Sequence, residues 1–218
     1  MIPIEKKSEP NELIFHKKQI QATFQNLPTA TKNTIRTQLI EEQGYLCAYC
    51  MQRIENDGQK TKIEHWQCQD NYPEQQLDYS NILLACMGNE GCDSEDQHCD
   101  TRKAKQELHC HPAKREHQYL LNTLSYLSNG EIKSSDITLN GDLNDVLNLN
   151  YARLKDNRKA VLNALMKSLN QQFGSRTLIE FQNLLNKWQR KDKTGKYQAY
   201  CGVVIYYLRK KLNRHQRA

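Results

Sequence analysis

Along most of the chain apolar residues recur three and four positions apart, the spacing that lines one face of an α-helix. Asn11 to Gln25 carries Leu13, Ile14, Ile20 and Phe24 in this pattern. Beyond the break at Pro28, Thr31 to Glu42 carries Ile35, Leu39 and Ile40, with threonines as caps and Gly44 as a stop. From His117 onward the pattern predicts helix almost throughout. Tyr119, Leu120, Leu124 and Leu127 share one face ahead of an Asn129-Gly130 stop, and Leu143 to Leu169, Leu178 to Trp188 and Tyr197 to Leu212 are three further helices, each apolar on one side.

The middle of the chain breaks this rhythm. Gln52 to Ile54 and Lys60 to Trp66 are short extended candidates on either side of Asn56-Asp57-Gly58, a hairpin-type turn. Residues 67–80 form a polar loop, Asn81 to Cys86 a short buried apolar run, and 88–97 an acidic loop without a helix signal. Cys99 to Leu108 then suits a helix N-terminus, with Asp100 in its first turn and Arg102, Lys103 and Lys105 behind it. The fold class predicted is α+β and mostly α-helical: a helical bundle carrying a small ββα unit. Its divisions are N-terminal helices over 1–43, a cysteine-bearing core over 44–112 and a basic helical region over 113–218.

With 218 residues, 26% of them charged and 38% apolar, and a mean hydropathy of -0.86, the chain reads as a very polar globular protein. No run approaches the roughly 18 apolar residues of a membrane-spanning helix, and Met1 to Lys7 lacks the apolar core of a secretory signal. The expectation is a protein of the reducing cytoplasm with no membrane partner. The net charge of +6 conceals a split: residues 1–150 hold 15 Lys+Arg and 22 Asp+Glu, whereas 151–218 hold 16 and 3. So basic a region is either a solvated helix surface or faces a polyanion, of which phosphate backbones are the commonest.

Seven of the eight cysteines lie between Cys47 and Cys110. In a reducing compartment they point to metal binding or buried thiols rather than disulfides. Cys47-Ala-Tyr-Cys50 is a C-x-x-C knuckle, whose gap lets two thiolates face one tetrahedral Zn²⁺. A second pair must follow downstream. Cys86 and Cys99 are the choice, with Cys92 the competitor for either place. Cys68 and Cys201 read as free thiols, and His109-Cys110-His111 lacks a tetrahedral partner set. The remaining histidines, His16, His98, His117 and His215, read as surface or satisfied polar residues, and Trp188, Tyr206 and Tyr207 as core or interface.

Within the same stretch Ile63-Glu64-His65 precedes Asn81 and then Cys99-Asp100-x-x-Lys103. Adjacent strand residues face opposite ways in an ideal pleat, although a bulge or strand end turns both toward one site. If they converge, they supply hard oxygen ligands and a base of near-neutral pKa, which a metal-dependent phosphodiester hydrolase needs. The order Cys-x-x-Cys, Glu-His, Asn-x-Leu, Cys, Cys-Asp-x-x-Lys resembles the HNH, or ββα-metal, endonucleases with a zinc knuckle.

The resemblance implies that Glu64 and Asp100 hold a catalytic Mg²⁺ or Mn²⁺, that His65 is the general base and that Asn81 holds the loop bearing it. Asp100 stands where the family often has His or Asn. Structural Zn²⁺ falls to Cys47, Cys50, Cys86 and Cys99, while Arg102 and Lys103 contact backbone phosphate or cap structure. Outer segments, among them Met1-Ile-Pro-Ile, Leu147 to Asn150 and Tyr200 to Val204, resemble the HNH proteins of Septu-type and retron-associated anti-phage defence, the PtuB family. That likeness implies a toxic effector working beside an ABC-type ATPase, PtuA, sometimes with a retron reverse transcriptase and its DNA product. DNA and RNA remain equally open as substrate. A zinc-stabilised module that binds nucleic acid or a partner without catalysis is the rival reading, and a Cys47/Cys50 redox protein a weaker third.

Overall fold

A computed structural model of the chain describes residues 1–171 and 177–215. Among them are eight α-helices and two small antiparallel sheets, an α+β fold. Helices α1 (Asn11–Lys17) and α2 (Thr29–Glu42) lead into a ββα unit of β1 (Thr61–His65), β2 (Ile82–Cys86) and α3 (Cys99–Lys103). Then come α4 (Gln118–Leu121), the hairpin β3 (Leu124–Tyr126) and β4 (Ile132–Ser134), α5 (Ile137–Gly141), α6 (Ala152–Asn170), α7 (Leu178–Trp188) and α8 (Cys201–His215).

Strand β2 is the apolar run expected of a strand covered on both faces. All five residues are buried, α2 and α3 both pack against it, and β1 pairs with it in a register that sets His65 opposite Ile82 and Thr61 opposite Cys86. The Asn56-Asp57-Gly58 turn does not join a hairpin. Gln52 to Ile54 fold back on the preceding chain, through the Leu46–Arg53 bridge and an Ile54 N–H to Tyr45 carbonyl bond of 3.0 Å, and so close the cysteine knuckle on itself. Helix α1 also ends early: His16 Nε2 lies 3.1 Å from both the Thr23 carbonyl and Asn26 Oδ1, which draws residues 18–26 into a turn and leaves Ile20 exposed.

Two of the expected C-terminal helices are corrected. Asn129-Gly130 is a hairpin turn between β3 and β4, not a helix stop, so Leu124 lies on a strand. Gly130 sits at φ +85°, where a Cβ would collide with the Lys155 carbonyl of α6. The continuous helix expected from Leu143 breaks into α5, a π-helical turn over Asp142–Val146, a left-handed Asn148 at φ +47° and then α6. Asparagine side chains hold the broken segment by bonding backbone groups of other parts of the chain. Asn150 bonds both the N–H and the carbonyl of Ile132, each at 2.9 Å, and Asn148 bonds the carbonyls of Glu95 and Gln97. Arg158, buried in α6, ties the corner with bonds to the carbonyls of Gly130 and Leu149.

A single apolar cluster draws residues from all three stretches, from Leu13 and Leu39 through Leu84 and Cys86 to Val204 and Leu208. Helix α8 docks its first turn on the knuckle: the Tyr200 N–H bonds the Met51 carbonyl at 2.9 Å, and Gly202 leaves room for the Met51 side chain. Trp188, Tyr206 and Tyr207 pack against this core, as expected. No helix among the described residues is long and apolar enough to cross a membrane.

Candidate metal centre and acidic site

The sulfurs of Cys47, Cys50, Cys86 and Cys99 lie within 4.8 Å of one another, all buried. Tetrahedral coordination at the usual Zn–S length of about 2.3 Å requires sulfurs about 3.8 Å apart. Cys47–Cys99 and Cys50–Cys86 are each separated by 3.9 Å, so the four thiols fit such an ion. The knuckle supplies the first pair, the end of β2 the third and the start of α3 the fourth. Cys92 is exposed and outside the group, and Cys201 is buried in α8.

The four neighbouring sulfurs shift one another's acidity. Burial raises the Cys47 thiol, but hydrogen bonds from Cys50, Cys86 and Cys99 outweigh it and hold Cys47 well below the ordinary range. The Cys86 thiol is pushed up by its bonds to Cys47 and Cys50, and that of Cys99 by burial and then Cys47. His98, expected as a surface or satisfied polar residue, is buried and brings Nδ1 within 3.2 Å of Cys99 Sγ and 4.0 Å of Cys86 Sγ. It is the outer support that metal thiolates commonly receive. Its backbone bonds the Gly88 carbonyl at 3.1 Å, and Gly88, at φ +55°, is where the chain turns out of β2.

Directly behind this centre lies a buried acidic site. Glu64 Oε1 accepts the Tyr49 hydroxyl at 2.8 Å and pairs with Lys103 Nζ at 2.8 Å. Asp100, in the first turn of α3, lies close enough to β1 for its charge to act on Glu64. Burial, and then the Asp100 charge, push Glu64 well above the carboxylate range, with Lys103 acting the other way. Burial followed by Glu64 pushes the Tyr49 hydroxyl up as well, so Tyr49 is the donor.

His65 stands beside these groups with its own partners. Nε2 lies 2.8 Å from the Gln76 carbonyl, which accepts only, so Nε2 carries the proton. Nδ1 therefore presents its lone pair, and the Gln69 amide donates to it at 3.1 Å. Phe24 meets the ring edge-on at 4.5 Å between centroids. Burial lowers the pKa of His65, which keeps the imidazole neutral. Asn81 closes the intervening loop: Oδ1 accepts the Gln67 N–H at 2.8 Å, and Nδ2 donates to the carbonyls of Gln67 and Gln75 at 3.0 and 3.2 Å. The loop it closes is the one that supplies Gln69 and Gln76 to His65.

One expected role is overturned. Lys103 is fully buried and, besides Glu64, donates to the His65 carbonyl at 2.9 Å, so it faces inward and not toward a phosphate. The charge of Glu64 and a solvent-free site behind α3 hold it there. Arg102 bonds the Ser94 carbonyl and hydroxyl at 2.7 and 2.8 Å, capping the acidic loop. Tyr49, Gln69 and Gln76 were not singled out from the sequence; the position of Tyr49 inside the knuckle was its one available signal. Comparison of the chain with protein-family models found no match, and comparison with curated proteins found none.

Proposed function

We propose that the chain is a metal-dependent nuclease of the HNH kind, stapled by Zn²⁺ at its four thiolates. What supports this reading is the placement on one ββα unit of Glu64 in β1, of Asp100 in the first turn of α3, near enough for its charge to raise Glu64, and of a neutral His65. A Mg²⁺ or Mn²⁺ held by those two acids would supply a Lewis acid for the phosphodiester and offset charge on its leaving oxygen. Gln76 holds the His65 ring with its lone-pair nitrogen toward Gln69, and an incoming water that displaces the Gln69 amide meets a base ready to take its proton. Asn81 fixes the loop that makes this orientation. Lys103 and Tyr49 hold Glu64 in place.

The biological setting we propose is anti-phage defence alongside an ABC-type ATPase, PtuA, with a retron reverse transcriptase and its DNA product as a further partner. That setting rests on the sequence likeness alone.

The test is incubation of the protein, with and without the ATPase, with labelled duplex DNA, single-stranded DNA and RNA in Mg²⁺, Mn²⁺ or EDTA. Cleavage should need the divalent ion and fall by roughly two to four powers of ten in His65→Ala, with zinc content unchanged. Equal cleavage by the variant would abandon the proposal. A second reading, a zinc-stapled binding module without catalysis, is favoured by one observation: Lys103 already neutralises Glu64 without any ion. It expects no cleavage under any of these conditions.

A further inference from the structure

Away from the acidic site, α8 and the turn after α7 enclose a cleft of roughly 1030 Å³ against the N-terminal segment and β3. Its wall carries Arg190 and Lys191 from the turn, and Arg209, Lys210 and Arg214 from α8. Among the described residues, no carboxylate lies within ion-pair distance of any of these five. The acids on the lining are Glu5 and Glu42, and Glu42 is already paired with Lys6 at 3.3 Å.

Gathering like charges from two separate segments into one concavity costs free energy, which a bound polyanion offsets. The wall also carries Tyr206, half-buried and set edge-on to Tyr126 at 5.9 Å, with Lys210 Nζ 5.8 Å over its ring, so a cation and an aromatic ring stand side by side. Lys191 is held by the carbonyls of Glu41 and Glu42 at 2.6 and 3.0 Å, whereas Arg190, Arg209, Lys210 and Arg214 have no carboxylate partner; such cations with aromatic rings in a groove are the combination that grips a single strand, phosphates on the cations and bases on the rings. The volume is at the upper end of small-ligand pockets, about 300–1,000 Å³, and so takes a few nucleotides and not a double helix.

We propose that this cleft binds single-stranded nucleic acid, with Arg190, Arg209, Lys210 and Arg214 on the phosphates and Tyr206 beside a base. The proposal rests on the nuclease reading only for the use of the bound strand, as substrate held apart from the acidic site. Fluorescence anisotropy of the full, zinc-loaded chain with labelled oligo-dT and oligo-rU, and with a duplex of equal length, tests it without added Mg²⁺ or Mn²⁺ over a salt series. The single strand should bind more tightly than the duplex, with a log-log salt slope of about -0.7 for each phosphate neutralised, near -3 for four contacts.

Arg209→Ala/Arg214→Ala should make that slope shallower by about 1.4 and weaken binding roughly tenfold or more at low salt. Its melting temperature should match the parent's, since both side chains are exposed. Tyr206→Leu, which keeps apolar volume, should lose the preference for the single strand. Unchanged binding by the double-arginine variant, a preference for duplex, or binding of labelled polyglutamate in place of oligonucleotide would each overturn the assignment. A chain that binds here but cuts nothing overturns the nuclease reading alone. One that cuts, with binding indifferent to the cleft variants, overturns this one alone.

Discussion

Tyr49 belongs to two centres at once: its backbone lies inside the Cys47–Cys50 loop and its hydroxyl rests on Glu64. Tyr49→Phe should leave the metal content of the thiol centre unchanged, lower stability in urea by about 1–3 kcal/mol, the scale of leaving a buried acceptor unsatisfied, and, on the nuclease proposal, reduce cleavage. Lys103 is the stronger case. Lys103→Met removes the cation that faces the Glu64–Asp100 pair in a site where Glu64 is 3% exposed; breaking a buried pair from one side costs up to about 3–5 kcal/mol, and protonation of Glu64 reduces that cost. Urea denaturation checks this, and Glu64→Gln/Lys103→Met should recover much of the loss because one buried acid, not two, then remains without the lysine. The thiol set was legible in the sequence because metal ligation constrains spacing. The burial of Lys103 was not, because a lysine late in a short helix is ordinarily solvated and only the three-dimensional position of Glu64 changes that.

At the scale of elements, strand β2 and helix α2 were legible for physical reasons: an uninterrupted apolar run suits a strand covered on both faces, and helical spacing after a proline suits a helix start. The β3–β4 hairpin was misread because Asn-Gly serves equally as a helix terminator and a hairpin turn, and three-residue strands carry too little alternation to decide. What decides is α6, whose Lys155 carbonyl abuts Gly130 and whose Arg158 bonds the Gly130 carbonyl. Gly130→Ala adds left-handed strain to a backbone collision, so a loss of at least about 2 kcal/mol is expected, near 4–8 °C in melting temperature for a chain of this size. Calorimetry measures it. A shift below 1 °C would show that the hairpin and α6 are not locked together. The division of the chain at residue 113 was likewise a matter of composition, whereas the apolar core runs through it.

For the whole molecule, acid should be more damaging than base over the histidine range. His111 is fully buried, its Nδ1 accepts the Ala113 N–H at 3.0 Å, and burial followed by Lys114 lowers its pKa to about 3. The unfolded chain takes up this proton near pH 6.5 and the folded chain does not, so stability is full above about 6.5 and falls as pH drops toward 3. His65 and His98, also lowered by burial, act in the same direction. Urea midpoints should fall between pH 7 and pH 5, and His111→Gln should flatten that dependence; an unchanged slope would remove His111 as its source. The thiol centre carries a kinetic consequence as well. Cys47 and Cys50 adjoin one another and can capture an ion while the chain is still open, whereas Cys86 and Cys99 arrive only when distant loops close. Loop closure is the slow, entropically opposed part of assembly, and an ion already seated on two sulfurs rewards each closure as it happens. Refolding in stopped flow should therefore accelerate with added zinc until the first pair is saturated, and become independent of it beyond that point.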